Sequence, residues 1–141
     1  MMTFLKLIAG LIAAIFVLFI ILGIKSQKGA ALGIVKGTLS ECPSSPNCAS
    51  SEADVQPEKQ VAPLSASLAK AKAAIIKTGG TITSESDDYI SATYMSGLFK
   101  FVDDVELRPD GDVVHIRSAS RVGYSDRGVN KKRIEAIRAA L

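Results

Sequence analysis

Residues 7–24 read LIAGLIAAIFVLFIILGI without a single charge, and Lys6 and Lys25 bracket the run. At about 1.5 Å per residue a helix over this stretch covers roughly 27 Å, close to the hydrocarbon thickness of a bilayer. The run is apolar on every side, and the rest of the chain is too short to wrap it as a soluble core helix. The pattern therefore predicts a transmembrane helix over residues 1–25. The following residues, IKSQKGAALG, contain neither a small-residue cleavage pattern nor a cysteine for lipid attachment, so the expectation is an uncleaved anchor.

Beyond it the periodicity changes. Residues 26–36 read as a linker and residues 37–141 as one domain, of a size that supports one modest core. Residues 37–63 are rich in Ser and Pro, hold no sustained period and are expected to be irregular. In LSASLAKAKAAIIKTGG, Leu64, Leu68, Ala71 and Ile75 recur at helical spacing before the Gly79-Gly80 stop, which predicts an amphipathic helix over residues 64–78. Four β-rich runs follow, TIT, DYISATYM, LFKFVDDVEL and DVVHIRSASRV. The closing NKKRIEAIRAAL repeats Ile134, Ile137 and Leu141 and predicts a helix capped by Asn130. The fold expected is α+β, an antiparallel sheet of about four strands packed by two helices, preceded by the membrane helix.

The last two runs flank PDGD, and Asp110-Gly111 suits the centre of a two-residue hairpin turn. That turn would pair Leu107 with Val114, Val105 with Ile116 and Asp103 with Ser118. It sets Asp103, Ser118 and Ser120 as a polar cluster into an otherwise apolar face, where a carboxylate requires hydrogen-bond donors. The opposite face would pair Glu106 with His115 and Asp104 with Arg117. His115, the only histidine, would then be a surface residue pointing away from both serines, which argues against a Ser-His triad within the hairpin.

Charge sharpens this picture. The formal net charge of +3 conceals a dipolar domain: residues 85–112 carry eight acids against Lys100 and Arg108, and residues 117–138 carry seven bases against Asp126 and Glu135. The stretch RSASRVGYSDRGVN, residues 117–130, packs hydroxyls and three arginines ahead of the closing helix. Arg117, Arg121, Tyr124, Ser125, Asp126 and Asn130 form a candidate anion-binding lip there. Lys131, Lys132 and Arg133 lie in a first helical turn, where the macrodipole favours negative charge. In the alternative, Arg117 and Arg121 answer Asp104 and the acidic strand, and Asp126 neutralises the turn from within.

Other chemistries find little support. One histidine and a C-x5-C pair do not make a zinc site, and no phosphate loop or nucleotide fingerprint is present, so no metal or cofactor is expected. One aromatic in the basic segment gives no stacking platform, so no nucleic acid is expected. Cys42 and Cys48 suit a disulfide in an oxidising compartment. Against that placement, Lys25, Lys28 and Lys36 outnumber Lys6 and the amino terminus, which biases the domain toward the cytoplasm.

CPSSPNCASS (residues 42–51), FVDDVE (101–106) and RSASRVGYSDRGVNKKRI (117–134) together resemble the domain-of-unknown-function family 1499, in the family's order and over nearly all of the domain. Ala49 stands where the family commonly has valine. The resemblance implies an exported or anchored protein, a domain on the extracytoplasmic side and a Cys42–Cys48 disulfide, and it carries no catalytic residue. The expected function is a membrane-tethered, non-enzymatic binding module for an anionic small molecule, lipid headgroup or partner protein. The alternatives are a hydrolase-like enzyme using Asp103, Asp126 or a serine outside the hairpin, and a structural envelope component.

Overall fold

The computed structural model describes residues 2–141. The first helix, α1 (Met2–Gln27), contains the apolar run, and residues 3–27 are long and apolar enough to cross a membrane. A short hairpin of β1 (Ile34–Val35) and β2 (Thr38–Leu39) follows, then β3 (Cys48–Ser50), α2 (Leu68–Lys77), β4 (Thr81–Glu85), β5 (Ile90–Met95), β6 (Val102–Asp110), β7 (Val113–Ser120) and α3 (Val129–Ala139). The main sheet is antiparallel with order β3-β7-β6-β5-β4. The fold is α+β, as the periodicities indicate, with five strands in the sheet where four were expected. The fifth, β3, comes from the Ser/Pro-rich segment read as irregular, where three residues pair Cys48 with Ala119 and Ser50 with Arg117. A strand that short leaves no period to detect.

Strand alternation sorts the sheet into two faces. On one, Val105, Leu107, Val114 and Ile116 meet Ile75 of α2 and Ile134 and Ile137 of α3, all at most 1% exposed. This is the hydrophobic core. α2 begins later than the spacing predicts because Leu64 is drawn into a bridge with Val114, and Ser67 caps the helix by accepting from the Lys70 amide. The other face carries Asp104, Glu106, Arg117 and Arg121, and the chain leaving α1 crosses over it. Gly33 donates its amide to Glu106 Oε1 at 2.6 Å, and Arg121 donates to the Ser26 carbonyl at 3.1 Å.

The β6–β7 hairpin turns one residue later than expected. Asp110 pairs with Val113, leaving Gly111 and Asp112 at the centre, and only Gly111 has positive φ, at 57°. A turn with a left-handed glycine at its first central position matches the twist of the strands without demanding positive φ from Asp112. Every partner moves by two residues: Leu107 faces Ile116, Val105 faces Ser118 and Asp103 faces Ser120. A shift of two leaves each side chain on its expected face but changes its neighbour. Arg117 therefore lies opposite Glu106 rather than Asp104, and His115 opposite Arg108 rather than Glu106.

Candidate functional site

The acids of FVDDVE alternate between faces, and each holds an arginine. Asp103 Oδ2 accepts from Arg133 of α3 at 2.7 Å on the helix side. On the other side Asp104 receives a two-pronged bond from Arg121, 2.7 Å to each oxygen, and Glu106 accepts from Arg117 Nη1 at 2.7 Å. The bond to Asp104 keeps the Arg121 guanidinium above its ordinary pKa. Glu106 is fully buried, and its second oxygen accepts from Tyr89 as well as from Gly33. Burial and then the bond to that carboxylate push the Tyr89 phenol well above its ordinary value. The charge separation along the sequence thus closes into ion pairs across the sheet.

The six residues of the expected lip do not come together on one surface. Arg117 and Arg121 sit on the face crossed by residues 26–33, whereas Asn130 is buried on the helix side. Asn130 is not the cap of α3; it lies inside the helix, which starts after Gly128 (φ 79°). Asp126 does the capping work, with Oδ1 accepting from the Gly128 amide at 2.9 Å and Oδ2 from the Asn130 amide at 2.7 Å. Asn130 is thereby freed to link three segments: it accepts from Ser118 Oγ at 2.6 Å and donates to Ser120 Oγ and to the Asn47 carbonyl, both at 3.0 Å. Asn47 in turn donates to the Gly123 carbonyl at 2.7 Å. Ser118 and Ser120 were expected to satisfy Asp103; they bond Asn130 instead, and Arg133 takes Asp103. The three motifs that are far apart in sequence therefore meet through Asn47, Asn130 and Arg133, a role for Asn47 and Arg133 that side-chain type alone does not announce.

That network fixes the loop between β7 and α3 beside α1, and a cleft of 360 Å³ opens between them. Phe19 and Leu22 of α1 line one side, with Phe101 beside them; Val122, Tyr124 and Val129 add apolar surface, and Ser96, Asp103, Ser120, Ser125 and Asp126 add polar groups. Tyr124 is 76% exposed. Among the described residues Lys100, Arg127, Lys131 and Lys132 form no ion pair, in contrast to Arg117, Arg121 and Arg133. A second cavity, of 670 Å³, lies on the opposite face of the sheet between residues 27–33 and β4–β5, with Thr83, Ser91, Thr93, Tyr89 and Arg121 in its lining.

The nearest approach to a nucleophile and base is elsewhere, and it involves a serine the hairpin pattern does not touch. Ser51 Oγ lies 3.2 Å from His115 Nδ1, and Asp110 lies 3.5 Å from the other ring nitrogen. Ser51 is 6% exposed, accepts from the Ile116 amide and lines neither of these two cavities. Glu52 beside it binds Arg108 through both oxygens at 3.1 Å. Burial opposes ionisation of Glu52, but the bonds from Arg108 and the Leu39 amide outweigh it and hold the carboxyl below its ordinary pKa. This is an internal brace.

Cys42 and Cys48 form a disulfide, which closes the loop between β2 and β3 and leaves no free cysteine. The first motif thus contributes a covalent closure, an edge strand and the Asn47 link. A search of curated proteins finds no match to the chain. The model of a protein family of unknown function, DUF1499, matches residues 38–141, from β2 through the Asn47–Asn130 network to the end of α3, and the chain belongs to that family.

Proposed function

We propose that this protein is a membrane-tethered, non-enzymatic binding module that receives the headgroup of an anionic lipid at the loop of residues 122–131. The observation that carries this reading is the cleft itself: one side is the apolar helix, the other the motif-held loop, and its two carboxylates are already taken, Asp103 by Arg133 and Asp126 by the Gly128 and Asn130 amides, while Arg127 and Lys131 of the same segment form no ion pair among the described residues. Of the basic edge legible in the sequence, Arg117 and Arg121 are neutralised within the fold, and the cations that form no ion pair are Arg127, Lys131 and Lys132. A lipid matches such a site because its chains suit Phe19 and Leu22 and its phosphate suits the cations.

Retention of α1 is supported by its bonds to the domain. The Val102 amide donates to Ser26 Oγ at 3.1 Å, and Gln27 donates to the Lys100 carbonyl at 3.4 Å. A leader destined for removal has no need of such docking. An extracytoplasmic position is supported by the disulfide, which persists in oxidising compartments. The lysine bias opposes it by only about one charge. Thiols at Cys42 and Cys48 that alkylate in unreduced cells would overturn that placement.

Native mass spectrometry of the full chain released from bilayers of mixed zwitterionic and anionic phospholipid tests the ligand. Enrichment of the anionic lipid, reduced severalfold in Arg127→Glu with Lys131→Glu, is the expected result. Equal retention of both lipids by the unaltered chain would overturn it. A hydrolase reading draws on Asp103 and Asp126 lining the same cleft. Both carboxylates are held by donors, Asp126 through each of its oxygens, which favours positioning over proton transfer.

A further inference from the structure

We infer that the tip between β5 and β6, residues 97–100, inserts its apolar side chains into the acyl layer beside α1, giving the domain a second hold on the membrane. The inference rests on the reading of α1 as a membrane span. Phe99 packs its ring edge-on against Phe16 and tilted against Phe19, with centroids 5.3 and 5.1 Å apart, and Phe101 reaches Phe19 at 6.0 Å. Phe16 precedes Ile24 by about two turns, roughly 12 Å along the helix, so a bilayer that holds the span also holds the Phe99 ring. Leu98, at the end of the tip, is 73% exposed and touches no core; Met95 on the adjoining strand is 58% exposed. A leucine presented beside a helix that is itself apolar continues the lipid-facing surface of that helix.

The backbone at the two ends of the tip is paired. In hydrocarbon an unpaired amide or carbonyl is costly. Here the Ser96 amide donates to the Phe101 carbonyl at 2.8 Å, the Phe101 amide donates to Ser96 Oγ at 2.9 Å, and Gln27 donates to the Lys100 carbonyl. The Phe99 carbonyl lies at the level of Gly23, next to the last apolar residue of the span, so the main chain stays at the interface while the ring extends inward. Lys100 is exposed and carries a stem long enough to return its ammonium to the headgroups.

The chain contains no tryptophan, so a single introduced one reports its own surroundings. Three full-length variants, Leu98→Trp, Ile12→Trp within the span and Asp87→Trp at the opposite end of β5, are placed in nanodiscs with and without phospholipid brominated along the acyl chain. The expected result is blue-shifted emission with bromine quenching for Leu98→Trp and Ile12→Trp, and red, unquenched emission for Asp87→Trp. Water-like emission from Leu98→Trp with Ile12→Trp quenched would overturn the insertion of the tip and leave the span intact. An unquenched Ile12→Trp would overturn the span and the tip together.

Discussion

The carbonyl oxygen of Phe99 occupies the space that a β-carbon on Gly23 would take. Gly23→Val therefore forces α1 away from the β5–β6 tip. The expected cost is about 1–3 kcal/mol, the usual range for overpacking a close contact. Hydrogen exchange at the Val102 amide, which Ser26 Oγ protects, should accelerate in the same variant. Unchanged exchange at Val102 would mean that α1 does not dock on the sheet as described.

The Glu106–Arg117 pair tests the register of the hairpin. Arg117→Met leaves a fully buried carboxylate with only Tyr89 and Gly33 as partners and should cost about 3–5 kcal/mol, as breaking a buried pair does. Glu106→Gln combined with Arg117→Met should cost clearly less than the sum of the single changes, because neither charge is then stranded. Strict additivity in denaturant midpoints would rule out the pairing.

Asp126 anchors the first turn of α3. Asp126→Ala removes the acceptor of the Gly128 and Asn130 amides and should lower stability by about 1–2 kcal/mol, the range for loss of a helix cap. Arg127→Ala, in the same loop but exposed and without an ion pair, should stay within about 0.5 kcal/mol of the unaltered chain. Thermal melts of the two variants that coincide would show that Asp126 is not a cap.

Tyr89 predicts the alkaline limit. Burial, then its bond to Glu106, raise its pKa above the ordinary 10.0. A phenol that stays protonated in the folded state contributes stability that is complete below pH 10.0 and is lost as the pH rises toward the folded value. The melting temperature should fall as the pH rises above 10.0, and the fall should be shallower in Tyr89→Phe. Parallel curves for the two proteins would remove Tyr89 from the linkage.

The sequence carries the parity of the strands more securely than their pairing. Val105, Leu107, Ile116 and Ser118 alternate, so their common face survives the displacement of the turn by one residue, while Asp104 exchanges Arg117 for Arg121. The choice between Asp110-Gly111 and Gly111-Asp112 depends on strand twist and on contacts distant in sequence. The burial of the charged face was illegible for a different reason. Gly33 bonds Glu106 through its main chain, and a backbone amide leaves no mark in residue type. Asn130 reads as a cap because Asn favours caps, yet Asp126 supplies the acceptor four residues earlier, which turns Asn130 inward toward Ser118 and Asn47.

The direct passage from α1 into the sheet has a consequence for reach. Residues 26–36, if free, would extend up to about 40 Å and let the domain sweep a hemisphere. Bonded at Ser26 to Val102 and Arg121, and at Gly33 to Glu106, they leave no slack. With α1 in a bilayer, the domain samples an area rather than a volume. Molecules diffusing laterally in the leaflet then encounter it at high effective concentration, and those held more than a few nanometres above the membrane stay beyond its grasp.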